Sequence, residues 1–165
     1  MRTVSAAFDF EAPPFNAVDF ARSLVTLMRD MDGIGLAANQ VGVLYRVFAM
    51  RGDPNQCLFN PRVVVPGDDI QLLDEGCLTW PGLILKVKRP KVVKVRFQMA
   101  NGEVVTETYM GMTARVFQHE LDHLDGITFL QRANRYYREK GIRQWERRKR
   151  LGQSVKLEYR DEVAG

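Results

Sequence analysis

The chain has 165 residues, 45% of them hydrophobic and 27% charged, with a formal net charge of +4. That is the balance of one soluble globular domain able to bury its own core. No apolar run reaches the roughly 18–20 residues of a membrane helix, and residues 1–10 hold no apolar stretch of signal-peptide length, so no membrane-spanning helix is expected and the cytosol is the default compartment.

Residues 16–32 are expected to form a helix. Asn16 is a suitable N-cap, and Ala21, Leu24, Val25, Met28 and Met31 recur on one face. Gly33 is the expected C′ residue. The segment 33–40, Gly-Ile-Gly-Leu-Ala-Ala-Asn-Gln, is too rich in small residues for an ordinary strand. Residues 44–50 and 57–65 are expected strands, joined through the turn residues Asp53, Pro54 and Asn55. A short strand is expected at 83–87, then a hairpin of strands 92–99 and 103–109 around Asn101-Gly102.

Residues 112–125 should form a helix closed by Gly126, with Val116, Phe117, Leu121 and Leu124 toward the core. Residues 133–151 should form a last helix, with Gly141 as its weak point. Runs of strands followed by helices indicate an α+β fold, with antiparallel or mixed sheets packed around the helix at 112–125 and a C-terminal helix. The expected organisation is a single domain over 1–165 with a basic helical extension at about 132–165.

Charge is unevenly spread. Residues 132–150 carry nine Lys and Arg against Glu139 and Glu146, a local net charge of +7 that leaves −3 for the rest. Interleaved with Tyr136, Tyr137 and Trp145, this segment is either a solvated helix face or a contact for ribosomal RNA.

The two histidines lie in His119-Glu120-Leu121-Asp122-His123. On a helix, positions i and i+4 share a face with Cβ atoms ~5–6 Å apart. Two imidazoles so placed can hold one metal ion, with the intervening glutamate positioned to act on water. A catalytic site of this kind needs a third protein ligand. One known solution places a third histidine after the glycine, where this chain has Phe129. A downstream glutamate would be Glu139, which sits among Arg138, Lys140 and Arg143 and is better explained as a solvated charge. A cysteine is the remaining solution. Cys77 follows Gly76, which permits close backbone approach, whereas Cys57 lies in a strand-like run and reads as core. With only these two cysteines, free thiols or a metal ligand are expected rather than a disulfide.

Three segments together, Gly33 to Gln40, Glu75 to Thr79 and Gln118 to Gly126, resemble the peptide deformylase family, a resemblance running from about residue 16 to 130. It implies that Cys77, His119 and His123 bind the metal with a fourth position for water, and that Glu120 is general base. It implies that the Gln40 side chain and the Leu78 backbone N–H hold the formyl oxygen. Backbone groups of Ile34, Gly35 and Gly76 would pair with the substrate main chain. Ile34, Met112, Arg115 and Val116 would line a methionine pocket, and Arg89 would pair with Asp122 or Glu75 behind the metal site. Fe2+ is the implied native metal, with Zn2+, Ni2+ or Co2+ as substitutes, and N-formyl-methionyl peptides, the ends of nascent chains, are the implied substrates. Within the resemblance, Thr79 replaces the commoner serine, Asn39 stands where proline or threonine is frequent, and Ile84 replaces an arginine of some relatives.

Two other readings remain at this point. A metallopeptidase cutting internal bonds would take Glu139 as third ligand. A non-catalytic homologue would act as a ribosome-binding module.

Overall fold

Helix α1 spans Ala17–Asp30 because Asn16 caps it, its side-chain oxygen accepting from the Asp19 backbone N–H at 3.0 Å. The expected role of Gly33 as the left-handed C′ residue falls instead to Asp32, with φ +53°. Its N–H bonds to Arg29 and that of Gly33 to Met28, which closes the helix in a Schellman arrangement. The computed structural model describes residues 3–155.

Strand β1 is Gly35–Ala37 and runs into a 3-10 turn at Ala38–Val41. The segment that composition placed outside strands therefore begins as one. It has three residues and forms one edge of a sheet. Strand β2 covers Val47–Met50, shorter than expected, since Leu44 and Arg46 bond instead to Ala6 of the N-terminal segment. β3 is Gln56–Pro66, β6 is Val92–Gln98 and β7 is Val104–Met110. The hairpin turns through Gly102, whose φ of +86° suits only glycine comfortably. These strands form one antiparallel sheet in the order β1-β2-β3-β6-β7.

The second sheet pairs β4, Ile70–Cys77, with β5, Trp80–Pro90. The expected strand at 83–87 is thus the middle of a longer one. β5 alternates cleanly, burying Leu83, Leu85, Val87 and Arg89. β4 has no such alternation, being mostly half-exposed, and this is why its sequence does not announce a strand.

Helix α2, Gly111–Leu124, packs against strands of both sheets. It is not an amphipathic surface helix with one core stripe. Every residue from Ala114 to Glu120 is buried, so its polar side chains must find partners inside the protein. Phe117 meets Phe48 and Tyr109 edge-on at 5.3 and 5.7 Å between centroids, contacts worth about 0.5–1.5 kcal/mol each beyond area burial. Gly126, φ +70°, ends the helix as the sequence indicates.

A short helix α3, Phe129–Arg132, precedes α4, Arg135–Arg150, which Asn134 caps. Gly141 is not a weak point. It is buried, and a Cβ there would lie 2.8 Å from the Ile84 carbonyl oxygen and overlap Leu85. The glycine is what lets α4 lie directly on β5. Among the described residues, no helix is long and apolar enough to cross a membrane.

Candidate metal centre and substrate cleft

Local helical geometry puts His119 and His123 side by side on α2, ring centroids 4.8 Å apart. The third donor comes from the end of β4. Between Glu75 and Cys77 the β4–β5 register shifts at Gly76, and the chain delivers the Cys77 sulfur 3.3 Å from His123 Nε2. One donor atom from each of Cys77, His119 and His123 lies within 4.8 Å of the others. Ligands at 2.0–2.3 Å around a tetrahedral ion stand about 3.3–3.8 Å apart, so a small contraction would close the set on one ion. Cys57 is a free, buried core thiol, its pKa pushed up to about 12 by burial. Glu139 is exposed and pairs with Arg135 at 2.7 Å.

Behind these ligands lies a buried charge network. Glu75, 1% exposed, accepts from Arg89 Nε at 2.6 Å and Nη2 at 3.0 Å, from Arg115 Nη1 at 2.6 Å and from His119 Nδ1 at 3.0 Å. Arg89 also donates to Asp122 at 2.8 Å, so it joins both carboxylates that the resemblance offered as alternatives. Asp122 is further held by Arg132 Nη2 at 2.6 Å. Burial alone would raise the Glu75 carboxyl. Hydrogen bonds from His119 and Arg89, with the Arg89 charge, hold it well below the usual carboxylate range. The bond at Nδ1 leaves His119 Nε2 to face the ligand set.

The sequence places Arg115 only on the methionine pocket. It does line the cleft, but its guanidinium is turned to Glu75 and to the Val87 and Gln71 carbonyls. Arg132, part of the basic segment by sequence, is committed to Asp122. Glu75 stands out in the sequence only as a partner for Arg89. No local pattern marks its wider role, because its partners lie 14, 40 and 44 residues away.

Glu120 is buried, and its Oε2 has no hydrogen-bond partner among the protein groups described. Burial pushes its carboxyl up to about 7. Gly35 of β1 lies against it so closely that any Cβ there would overlap the Glu120 carboxylate. Burial likewise lowers the neighbouring His123 to about 3. For His119 burial acts in the same direction, but hydrogen bonds to Cys77 and Glu75 and the charge of Glu120 overcome it and raise it to about 10.

Gln40 is oriented by its own backbone: its side-chain oxygen accepts from Ala37 N–H at 2.7 Å. That leaves the amide nitrogen 3.1 Å from Thr79 Oγ1 and 3.7 Å from Cys77 Sγ. Asn39 donates to the His123 carbonyl oxygen and ties the 3-10 turn to α2. The Leu78 side chain packs beside Gly33. The Ile34 carbonyl is already taken by Arg51 N–H at 2.8 Å. Gly35, the next residue, opens β1 at the edge of the sheet.

These residues border a cavity of about 560 Å3 that reaches from Ile34, Gly35 and Gly76 past Cys77 and Glu120 to Met112 and Val116. A concave, largely apolar cleft ending on buried polar groups is the form of a ligand site. Three converging donors and a buried carboxylate with one unpartnered oxygen fit a single metal ion.

This α+β scaffold, with a histidine pair on a central helix facing a strand-borne cysteine, defines a hydrolase class, and comparison with known proteins gives the family. The profile described as polypeptide deformylase matches residues 2–139. Peptide deformylase of Thermotoga neapolitana is 41% identical over 110 residues, 66% of this chain and 67% of that one. That of Desulforudis audaxviator is 44% identical over 123 residues, 73% of this chain and 79% of that one. The crystal structure of the Thermotoga maritima enzyme superposes with a TM-score of 0.76 at 34% identity, over 81% of this chain and 90% of that one. A Plasmodium falciparum peptide deformylase in complex with inhibitor gives 0.79 at 29% identity, over 90% and 93%. The chain belongs to the peptide deformylase family, enzymes that remove the formyl group from the N-terminus of polypeptides.

Proposed function

We propose that this chain hydrolyses the formyl amide of N-formyl-methionyl peptides through one divalent metal ion held by Cys77, His119 and His123. The observation that carries the reading is the convergence of those three donors beside Glu120, in a cleft edged by β1. An ion bound there would polarise the formyl carbonyl and make water more acidic. A ferrous ion is the native metal on this reading, with zinc, nickel or cobalt able to replace it; a thiolate and two imidazoles suit all of them.

The chain's own groups supply the rest. Glu120 accepts the proton of the attacking water and passes it to the amine that leaves as formate is released. The Gln40 amide N–H2 and the Leu78 backbone N–H donate to the formyl oxygen as negative charge grows on it, donors that typically contribute ~10²–10³ each in rate. Backbone groups of Ile34, Gly35 and Gly76 pair with the substrate main chain as an added strand, while the side chains of Ile34, Met112 and Val116 receive the methionine side chain. Recognition of backbone and one side chain suits an enzyme that meets many nascent chains.

On the same reading the enzyme works in the cytosol. The basic extension at 132–165 contacts ribosomal RNA through the exposed Arg143, Arg147 and Arg150. Residues 156–165 of that extension lie outside the described residues.

The test is hydrolysis of formyl-Met-Ala-Ser by wild type, Glu120→Ala and Cys77→Ser under anaerobic conditions with metal analysis. Glu120→Ala should keep its metal and lose at least ~10²-fold in kcat, and Cys77→Ser should lose metal. A Cys77→Ser protein that retains metal and activity refutes the ligand set. Ribosome co-sedimentation equal with and without residues 132–165 refutes the RNA contact.

A further inference from the structure

Four buried side-chain atoms among the described residues have no hydrogen-bond partner in the protein: Ser5 Oγ, Asn39 Oδ1, Glu120 Oε2 and His123 Nδ1. Buried polar groups are nearly always paired, so each exception calls for a physical account. Glu120 has one in its work on water. Asn39 Oδ1 and His123 Nδ1 belong to two residues that already touch. The Asn39 amide donates through Nδ2 to the His123 carbonyl oxygen, across 84 positions of sequence. Both residues are buried, Asn39 7% and His123 1% exposed.

The two atoms are chemically complementary. His123 meets the Cys77 sulfur through Nε2, at 3.3 Å. An imidazole that gives one ring nitrogen to a metal ion carries its proton on the other. Nδ1 is then a donor, and such a donor is ordinarily held by a carboxylate, a carbonyl oxygen or a water. His119 has its acceptor in Glu75 Oε2, 3.0 Å from its Nδ1. No carboxylate bonds to His123 Nδ1 among the described residues. The Asn39 oxygen can only accept, and it is bonded to the same carbon as the nitrogen that rests on His123. The 3-10 turn holds Asn39 from both sides. The Gln40 side chain is bonded to the Ala37 N–H at 2.7 Å, and the Val43 N–H returns to the Ala38 carbonyl at 3.0 Å.

We infer that Asn39 is a positioning residue for the metal centre proposed above, on which this inference rests: its side-chain oxygen is the acceptor for the His123 Nδ1 proton when Nε2 holds an ion. One amide then fixes His123 twice, by its main chain and by its ring, as Glu75 fixes the ring of His119. Proline or threonine, frequent at this place in the resemblance, has no amide to do this, so the arrangement belongs to this chain rather than to the motif.

The full chain is loaded with zinc, its affinity measured by chelator competition and its imidazole signals by NMR of 15N-labelled protein. With two histidines in the sequence, each ring can be followed separately. Wild type should show both rings protonated at Nδ1. Asn39→Leu keeps the size of the side chain and removes both contacts. It should weaken zinc binding about 10–100-fold and move the His123 Nδ1–H signal upfield while that of His119 stays in place. Asn39→Asp offers a stronger acceptor and no donor, so it should recover most of the affinity and move the signal downfield. A residue that only ties the turn to the helix would behave in the opposite way, since aspartate cannot donate to the His123 carbonyl. Ser5→Ala should change neither readout. Unchanged affinity and signal in Asn39→Leu overturn the inference, and so does an equal loss in Asn39→Asp or a His123 signal that moves with Ser5→Ala. If Asn39→Leu does not fold, Asn39→Asp decides alone, and a His123 signal at its wild-type position overturns the inference. A wild-type chain whose histidines do not respond to zinc would fail the parent reading, and this one with it.

Discussion

Replacing Glu75 by glutamine keeps the side chain's shape and removes its charge, which leaves two buried guanidinium groups short of a partner. Arg89 retains Asp122 at 2.8 Å. Arg115, 4% exposed, keeps only the neutral Val87 and Gln71 carbonyls. Breaking a buried ion pair by removing one partner costs about 3–5 kcal/mol, a large part of the roughly 5–15 kcal/mol that holds a typical domain together. At about 2–4 °C per kcal/mol for a chain of this size, the thermal midpoint should fall by roughly 6–20 °C. His119 also loses the acceptor that fixes its Nδ1 proton, and loss of such a partner typically weakens metal binding about 10–100-fold.

The pH dependence has a definite sign. The folded Glu75 carboxyl lies below its unfolded value, so its contribution is complete above about pH 4.3 and is lost as pH falls below that. Wild type should lose stability through that window, and Glu75→Gln should lack that share of the loss. Thermal melts across pH, with metal affinity by chelator competition, read both effects. A midpoint within about 2 °C of wild type together with unchanged metal affinity would refute the reasoning.

Three further outcomes are expected. Gly35→Ala forces the Glu120 carboxylate to move, and since a displacement of about 1 Å can cost ~10²-fold, kcat should drop by up to that factor while metal content stays the same; unchanged kcat would show the carboxylate has room. Gly141→Ala, which would stabilise an ordinary exposed helix, should here destabilise by about 1–3 kcal/mol through overpacking on Ile84 and Leu85, seen as a lowered thermal midpoint. A chelator should abolish activity, and divalent ions should restore it; because His119 holds its proton to about pH 10 without an ion, apparent metal affinity should tighten as pH rises toward that value, and an affinity flat from about pH 6 to 9 would contradict this.

Much of the protein is legible in its sequence wherever the information is local. The i, i+4 histidine pair needs only a helix. The 92–110 hairpin needs only two alternating strands and Asn101-Gly102. The Gly126 stop needs only a left-handed residue. The three motifs carry the family and the α+β fold. β4 is not legible, since a strand paired on one side and half-exposed leaves no alternation. Nor is the place of Asp32 at the end of α1, because aspartate tolerates a left-handed conformation that glycine merely prefers.

Tertiary structure decided whatever depends on distant partners. The sequence supplies Cys77, but a register shift in a two-stranded sheet brings its sulfur to the histidines. The resemblance pairs Arg89 with Glu75 or Asp122, but nothing along the chain shows that Glu75, Arg89, Arg115 and Asp122 form one network. They are buried because folding brings opposite charges close enough to offset the cost of leaving water. Gly141 reads as a flaw in a helix until β5 lies against it. Short-range preferences act between residues a few positions apart and can be recognised there. Ion pairing and close packing act between surfaces that meet only after the chain has folded.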